Sequence, residues 1–239
     1  MSLVSASSFV GGIKEYLYRG FQQLPLVLAM TSFVFTVTTG SVAHTTMFTG
    51  LVFIMPLFTV FSQELLKRIA KNNNWKRSNA DSCNVITDYK SLKDFGYYVS
   101  TDMNNWNNIP SYWLTSISFF FGYILANAYH ASTQPGDTTN PMNYEKRMTT
   151  ALYATFCSVI VLCVLILVRF TVMSNCEGTW WLAYVISILF GLLSAGIGVG
   201  LYDLSVRCGA RSSDMLGILS QIVPASASSP SPTVCMAQD

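Results

Sequence analysis

The side chains able to do chemistry are few, and three polar segments hold most of them. The 239 residues include two histidines, His44 and His130, and six cysteines with no Cys-x-x-Cys or His-x3-His spacing. That leaves no metal site and little room for histidine-dependent catalysis. The first polar segment, residues 65–84, reads LLKRIAKNNNWKRSNADSCN. The second, Ile109-Pro110-Ser111-Tyr112-Trp113, opens an apolar stretch that continues as SFFFGY. In the third, Val168-Arg169 closes another apolar stretch, and Asn175 begins a short link into a Gly-rich one. Basic, hydroxyl and amide groups dominate these segments, and both histidines lie outside them.

The elements that must position them are apolar. Hydrophobic residues make up 51% of the chain and charged residues 11%, against roughly 25% charged in globular domains. A soluble protein so poor in charge could not cover its surface, whereas a lipid-facing one needs no such cover. The net charge of +2 is too small to indicate nucleic-acid binding. A spanning helix needs about 20 mostly apolar residues. Residues 24–43, 45–66, 111–130, 148–170 and 179–204 meet that requirement. The expected fold is all-α, a multi-pass transmembrane bundle of about five spans over 24–204, with a hydrophilic loop at 67–110. The first two spans are separated by almost nothing polar and form a tight hairpin, and Pro56 should kink the second. The last two are apolar all round, as in VIVLCVLILV at 159–168, where a soluble helix would show a stripe.

Residues 1–23 place Phe9, Val10, Ile13, Tyr16, Leu17 and Phe21 at roughly helical spacing beside Lys14, Glu15 and Arg19, which suits an interfacial amphipathic helix or a frayed terminus. Ser41-Val42-Ala43 has the small residues of a cleavage site, but the long, weakly charged leader argues against one. Lys67, Arg68, Lys71, Lys76, Arg77, Lys90 and Lys93 all fall in the 67–110 loop. With Lys14 and Arg19 they favour a cytoplasmic N-terminal face, and an odd number of spans then puts the C-terminus opposite. Cys83 and Cys176 share that face, where a disulfide is geometrically feasible but cytoplasmic thiols would be reduced.

In the last span Ser187, Gly191 and Ala195, and also Gly196 and Gly200, follow small-x-x-x-small spacing, with Ser194 and Gly198 alongside, which lets backbones approach closely at the centre of a bundle. Asp203 should snorkel at the span's end. Trp180, Trp181 and Tyr184 read as an interfacial aromatic belt, and His44 and His130 as interfacial anchors. The tail, 205–239, contains PASASSPSPT and is expected to be mostly disordered.

In order, spacing and membrane side, residues 45–204 resemble the type-2 phosphatidic acid phosphatase superfamily, membrane-embedded enzymes acting on lipid phosphates. In that family a Lys, six residues and Arg-Pro follow one helix, and Pro-Ser-Gly-His opens the next. Ser-Arg, five residues, His, three residues and Asp then precede a Gly-rich helix. The resemblance implies that Lys71, Arg77, Ser111 and Arg169 hold a phosphate. It also marks departures. Lys71 and Arg77 are one residue too close, and Ser78 replaces the Pro. Tyr112 and Trp113 replace Gly-His, Asn175 replaces the nucleophilic His and Thr179 the Asp. General acid–base catalysis contributes around 10²–10⁴-fold, and without the nucleophile the covalent pathway is absent altogether.

The resemblance therefore implies a non-catalytic relative, structural or binding lipid-phosphate headgroups, with no cofactor and no metal. Its expected partners are membrane lipids and neighbouring membrane or capsid proteins, since small size and Asn-, Ser- and Thr-rich loops would suit a membrane protein of a large DNA virus. Two alternatives stay open. One is an active lipid phosphatase with rearranged groups, such as Asp81, Asp88 or His130. The other is a small transporter, although the first four spans offer few polar groups beyond Thr and Ser.

Overall fold

A computed structural model describes residues 19–69, 109–133, 141–172, 176 and 181–208. Among them every regular element is a helix. After a helical turn at 19–22 come α1 (Leu24–Thr39), α2 (Val42–Thr49), a π-helical turn (Gly50–Ile54) and α3 (Met55–Ile69), then α4 (Tyr112–Thr133), α5 (Pro141–Val172) and α6 (Trp181–Arg207). The expectations for 1–18, for the loop between Ile69 and Ile109 and for the tail beyond Cys208 lie outside the described residues.

Among the described residues three helices are long and apolar enough to cross a membrane: Val42–Leu66, Met148–Thr171 and Trp181–Arg207. Leu24–Thr39 is apolar but only 16 residues long. It stops earlier than the 24–43 expected because Gly40 adopts a left-handed conformation (φ 61°) and its N–H closes on the Thr36 carbonyl at 2.9 Å. Val42 and Ala43 consequently open the next helix. The hydroxyls of α1 are compatible with apolar surroundings because each turns back on its own helix. Thr31, Ser32, Thr36, Thr38 and Thr39 donate to the carbonyls four residues earlier, at 2.6–2.8 Å.

The disturbance expected at Pro56 is a π-turn. A proline ring collides with the carbonyl four residues before it and offers no N–H. The chain widens instead, and the Met55 N–H reaches Gly50 O, five residues back. In that register Pro56 should serve Leu51 O and cannot. The Tyr112 hydroxyl does so, donating to Leu51 O at 3.0 Å.

Helix α4 is the hub. Fourteen of its 22 residues are buried, and it packs against α1, α3, α5 and α6. It runs antiparallel to the α2–α3 rod, held by Gln63 Nε2 to Pro110 O (2.8 Å), Thr59 Oγ1 to Thr115 Oγ1 (2.7 Å) and Thr46 Oγ1 to Tyr123 Oη (2.6 Å). Hydrogen bonds of this kind join helices where water does not compete.

Against α6 it runs parallel, with backbones close together. A Cβ on Gly122 would stand 2.3 Å from Ala195 O, and one on Gly198 2.4 Å from Phe119 O. The expected small-residue seam therefore exists, but its register is Ala183, Ser187, Gly191, Ser194, Gly198, Tyr202 and Ser205, the residues of α6 that are buried. Gly196 and Gly200 face away, with nothing within 4 Å of an added Cβ. By contrast, α5 is peripheral and exposes Leu152, Phe156, Ile160, Val164 and Leu167.

Candidate functional site

One end of the bundle gathers the starts of α1 and α4 with the ends of α3 and α5, and there the structure places the described members of the expected phosphate-binding set. Ser111 is fully buried, and its Oγ accepts the Leu114 N–H at 3.1 Å, an N-cap for α4. Trp113, two residues on, is 1% exposed. Its indole N–H donates to Phe21 O at 2.8 Å, and the Phe21 ring stacks on it at 4.7 Å between centroids.

Arg169 meets the same indole. Its side chain is 0% exposed, and Cζ lies 5.0 Å from the Trp113 ring centroid. A guanidinium over an indole is the strongest common cation–π pair, reaching about 2 kcal/mol when desolvated. Beside it Phe170 packs edge-on against Tyr184 of α6 at 5.2 Å. Ser111, Trp113 and Arg169 are thus brought to one end of the bundle. Lys71, Arg77, Asn175 and Thr179 lie outside the described residues.

Chemically this arrangement is a brace. The indole N–H has a carbonyl acceptor and the ring two aromatic or cationic neighbours, so Trp113 joins the 19–23 turn, α4 and α5. An indole neither attacks phosphorus nor protonates a leaving group at neutral pH. Gln63 was not singled out by sequence, yet it ties α3 to the Pro110 carbonyl just before the Ser111 cap. Its signal was an amide within an apolar segment. Cys176, between α5 and α6, is disulfide-bonded, where a cytoplasmic face would have kept it reduced; its partner lies outside the described residues, as does Cys83, the pairing that sequence left open. Cys157, Cys163 and Cys208 are free.

The remaining expectations divide. No group of three His, Cys, Asp or Glu able to hold a metal occurs among the described residues. Trp181 is exposed at the start of α6, and Trp180 is outside the described residues. His44 is buried, 8% exposed, with its ring 5.3 Å from Phe35, because α1 folds back across it. His130 lies 5.9 Å from the Tyr202 ring. Asp203 is exposed and pairs with Arg207 at 2.8 Å. The interior is more polar than expected: Gln63, Tyr123 and Asn127 are all buried in it.

No family model matches the chain, and no curated protein or solved structure matches it. The described residues define the class: every regular element is a helix, and three helices are long and apolar enough to cross a membrane, compatible with an integral membrane protein.

Proposed function

We propose that the chain is a non-catalytic, five-span membrane protein whose phosphatase-like end has become a structural brace. Two further helices complete the five. The outward face of α1 is apolar, with Leu26, Val27, Met30, Val34 and Val37 exposed. The 22 residues of α4 extend about 33 Å at 1.5 Å per residue, enough to cross the hydrocarbon layer. Its polar side chains face other helices, so low hydropathy does not bar it from a membrane.

The observation that carries the non-catalytic reading is Trp113. It stands where the resembled family has a catalytic histidine, and both its N–H and its ring are committed to Phe21 and Arg169. The full burial of Arg169 favours a structural role over headgroup binding. Purified protein in detergent micelles, offered phosphatidic acid, is expected to release no phosphate. Hydrolysis that disappears in an Arg169→Met variant would overturn the reading, and saturable binding of phosphatidic acid lost in the same variant would favour the headgroup alternative.

Orientation follows from Cys176. The basic loop favours a cytoplasmic face, but the disulfide at the same end supports an oxidising compartment. We favour the disulfide, since a loop can be basic for reasons other than topology. The Arg169 end then faces outward, and the ends of α1 and α6 face the cytoplasm. Protease protection of a tag placed after Asp239 in sealed cells tests this, with cleavage from outside as the contrary result.

A further inference from the structure

The end of the bundle opposite Arg169 holds a second polar cluster. Tyr123, Asn127 and His130 recur at i, i+4 and i+7 on α4, hence on one helical face, and each meets α6 through Tyr202. Deepest lies the Tyr123 hydroxyl, 2.8 Å from Ala43 O, 2.6 Å from Thr46 Oγ1 and 3.4 Å from Ser205 Oγ. This knot is satisfied: Tyr123 donates to Ala43 O, Ser205 donates to Tyr202 O at 2.7 Å, and Thr46 has both Tyr123 and Ala43 O in reach.

Asn127, one turn outward, is not satisfied. It is 2% exposed, its Nδ2 makes one long contact with Tyr202 Oη at 3.5 Å, and its Oδ1 has no hydrogen-bond partner. A primary amide offers two donors and two acceptor positions, and burial without partners is unfavourable. Two more buried polar atoms without partners, Ser41 Oγ and His44 Nδ1, lie at this same end. Asp203 and Arg207 sit nearby in sequence but are exposed and paired with each other.

We propose that Asn127 anchors an internal water site, shared with the Tyr202 hydroxyl and reached from the His130 end. The chemistry of the guest follows from the orphan atom. As placed, the bare Oδ1 needs a donor, which an anion or a carbonyl compound does not offer. Turning the amide over would place Oδ1 toward Tyr202 and leave the NH2 group needing an acceptor instead. Water serves either orientation, whereas a cation serves only the first. Internal waters typically make about three hydrogen bonds to buried polar groups that would otherwise be unsatisfied. Past Asn127 the helix surfaces: Tyr129 is 70% exposed, Ser132 is half-buried and Thr133 at its end is exposed.

The direct test is nuclear magnetic resonance on the full chain in detergent with asparagine side chains labelled with ¹⁵N. A cross-peak between bulk water and the Asn127 NH2 group is expected, weakened in Tyr202→Phe while other asparagine signals hold. A wild-type Asn127 amide showing no transfer from water would overturn the proposal. Asn127→Leu, close in volume, supplies an independent measurement. If water is held there, losing its anchor lowers Tm by about 2–4 °C or more. An unchanged or raised Tm means the amide was dry and the proposal fails. A wild-type Tm that rises with ammonium chloride but not with sodium chloride would assign the site to a cation and overturn water as its occupant.

Discussion

Two glycines only two residues apart in α6 should respond oppositely to the same methyl group. At Gly198 an added Cβ would lie 2.4 Å from Phe119 O and 2.9 Å from Tyr123 N, where ordinary contact begins near 3.4 Å. Both opposing atoms are α4 backbone, so no side chain can rotate away, and α4 and α6 must separate by about 1 Å. At Gly196 nothing lies within 4 Å of the new atom. Alanine favours a helix over glycine by up to about 1 kcal/mol at either site. That contribution cancels when Gly198→Ala is compared with Gly196→Ala, leaving the overpacking cost of about 1–3 kcal/mol. The Tm values should then differ by roughly 2–12 °C, with Gly196→Ala the more stable. Fluorescence-detected thermal unfolding in detergent, with Gly200→Ala as a second outward control, measures this. Equal Tm values for the two variants would refute the register of the α4–α6 seam.

Other perturbations test the remaining joints. Tyr112→Phe leaves Leu51 O unpartnered at the π-turn and should cost about 1–3 kcal/mol, with faster amide exchange at Leu57 and Phe58. Pro56→Ala restores an N–H and should recover much of that loss in the double variant. Trp113→His reinstates the residue type of the resembled family but removes the Phe21 and Arg169 contacts. It should lower stability by about 3 kcal/mol, as large buried aromatic losses do, and should create no phosphatase activity. Cys176→Ser should release one additional reactive thiol in the unfolded, unreduced protein; an unchanged thiol titre would argue against the disulfide.

The apolar helices were legible because hydropathy is a property of composition over about 20 residues. Residues 148–170 and 179–204 needed no partner to be recognised, and α5 and α6 fall on them closely. The α1–α2 boundary was misplaced because the left-handed Gly40 is a matter of one dihedral angle. Pro56 announced a disturbance but not its form, since an α-helical kink and a π-turn answer the same steric conflict. The choice depended on Tyr112, which lies in a different helix.

The site was legible in part. Ser111 and Arg169 come to the end of the bundle where sequence order put them, yet what joins them there is Trp113, which sequence treated as a lost catalytic position. Asn127 and Gln63 went unweighed because a single amide hardly changes the hydropathy of an apolar segment.

By itself, then, the sequence determined that this chain is helical, apolar enough for a membrane and carries both its histidines outside its polar segments. Those are properties of residue type and local spacing. The tertiary structure decided that α4 sits at the centre, that Gly191 and Gly198 rather than Gly196 and Gly200 form its seam, and that Arg169 rests on Trp113. Each depends on which face of one helix meets another, and rotation about a helix axis is fixed only by what packs against it.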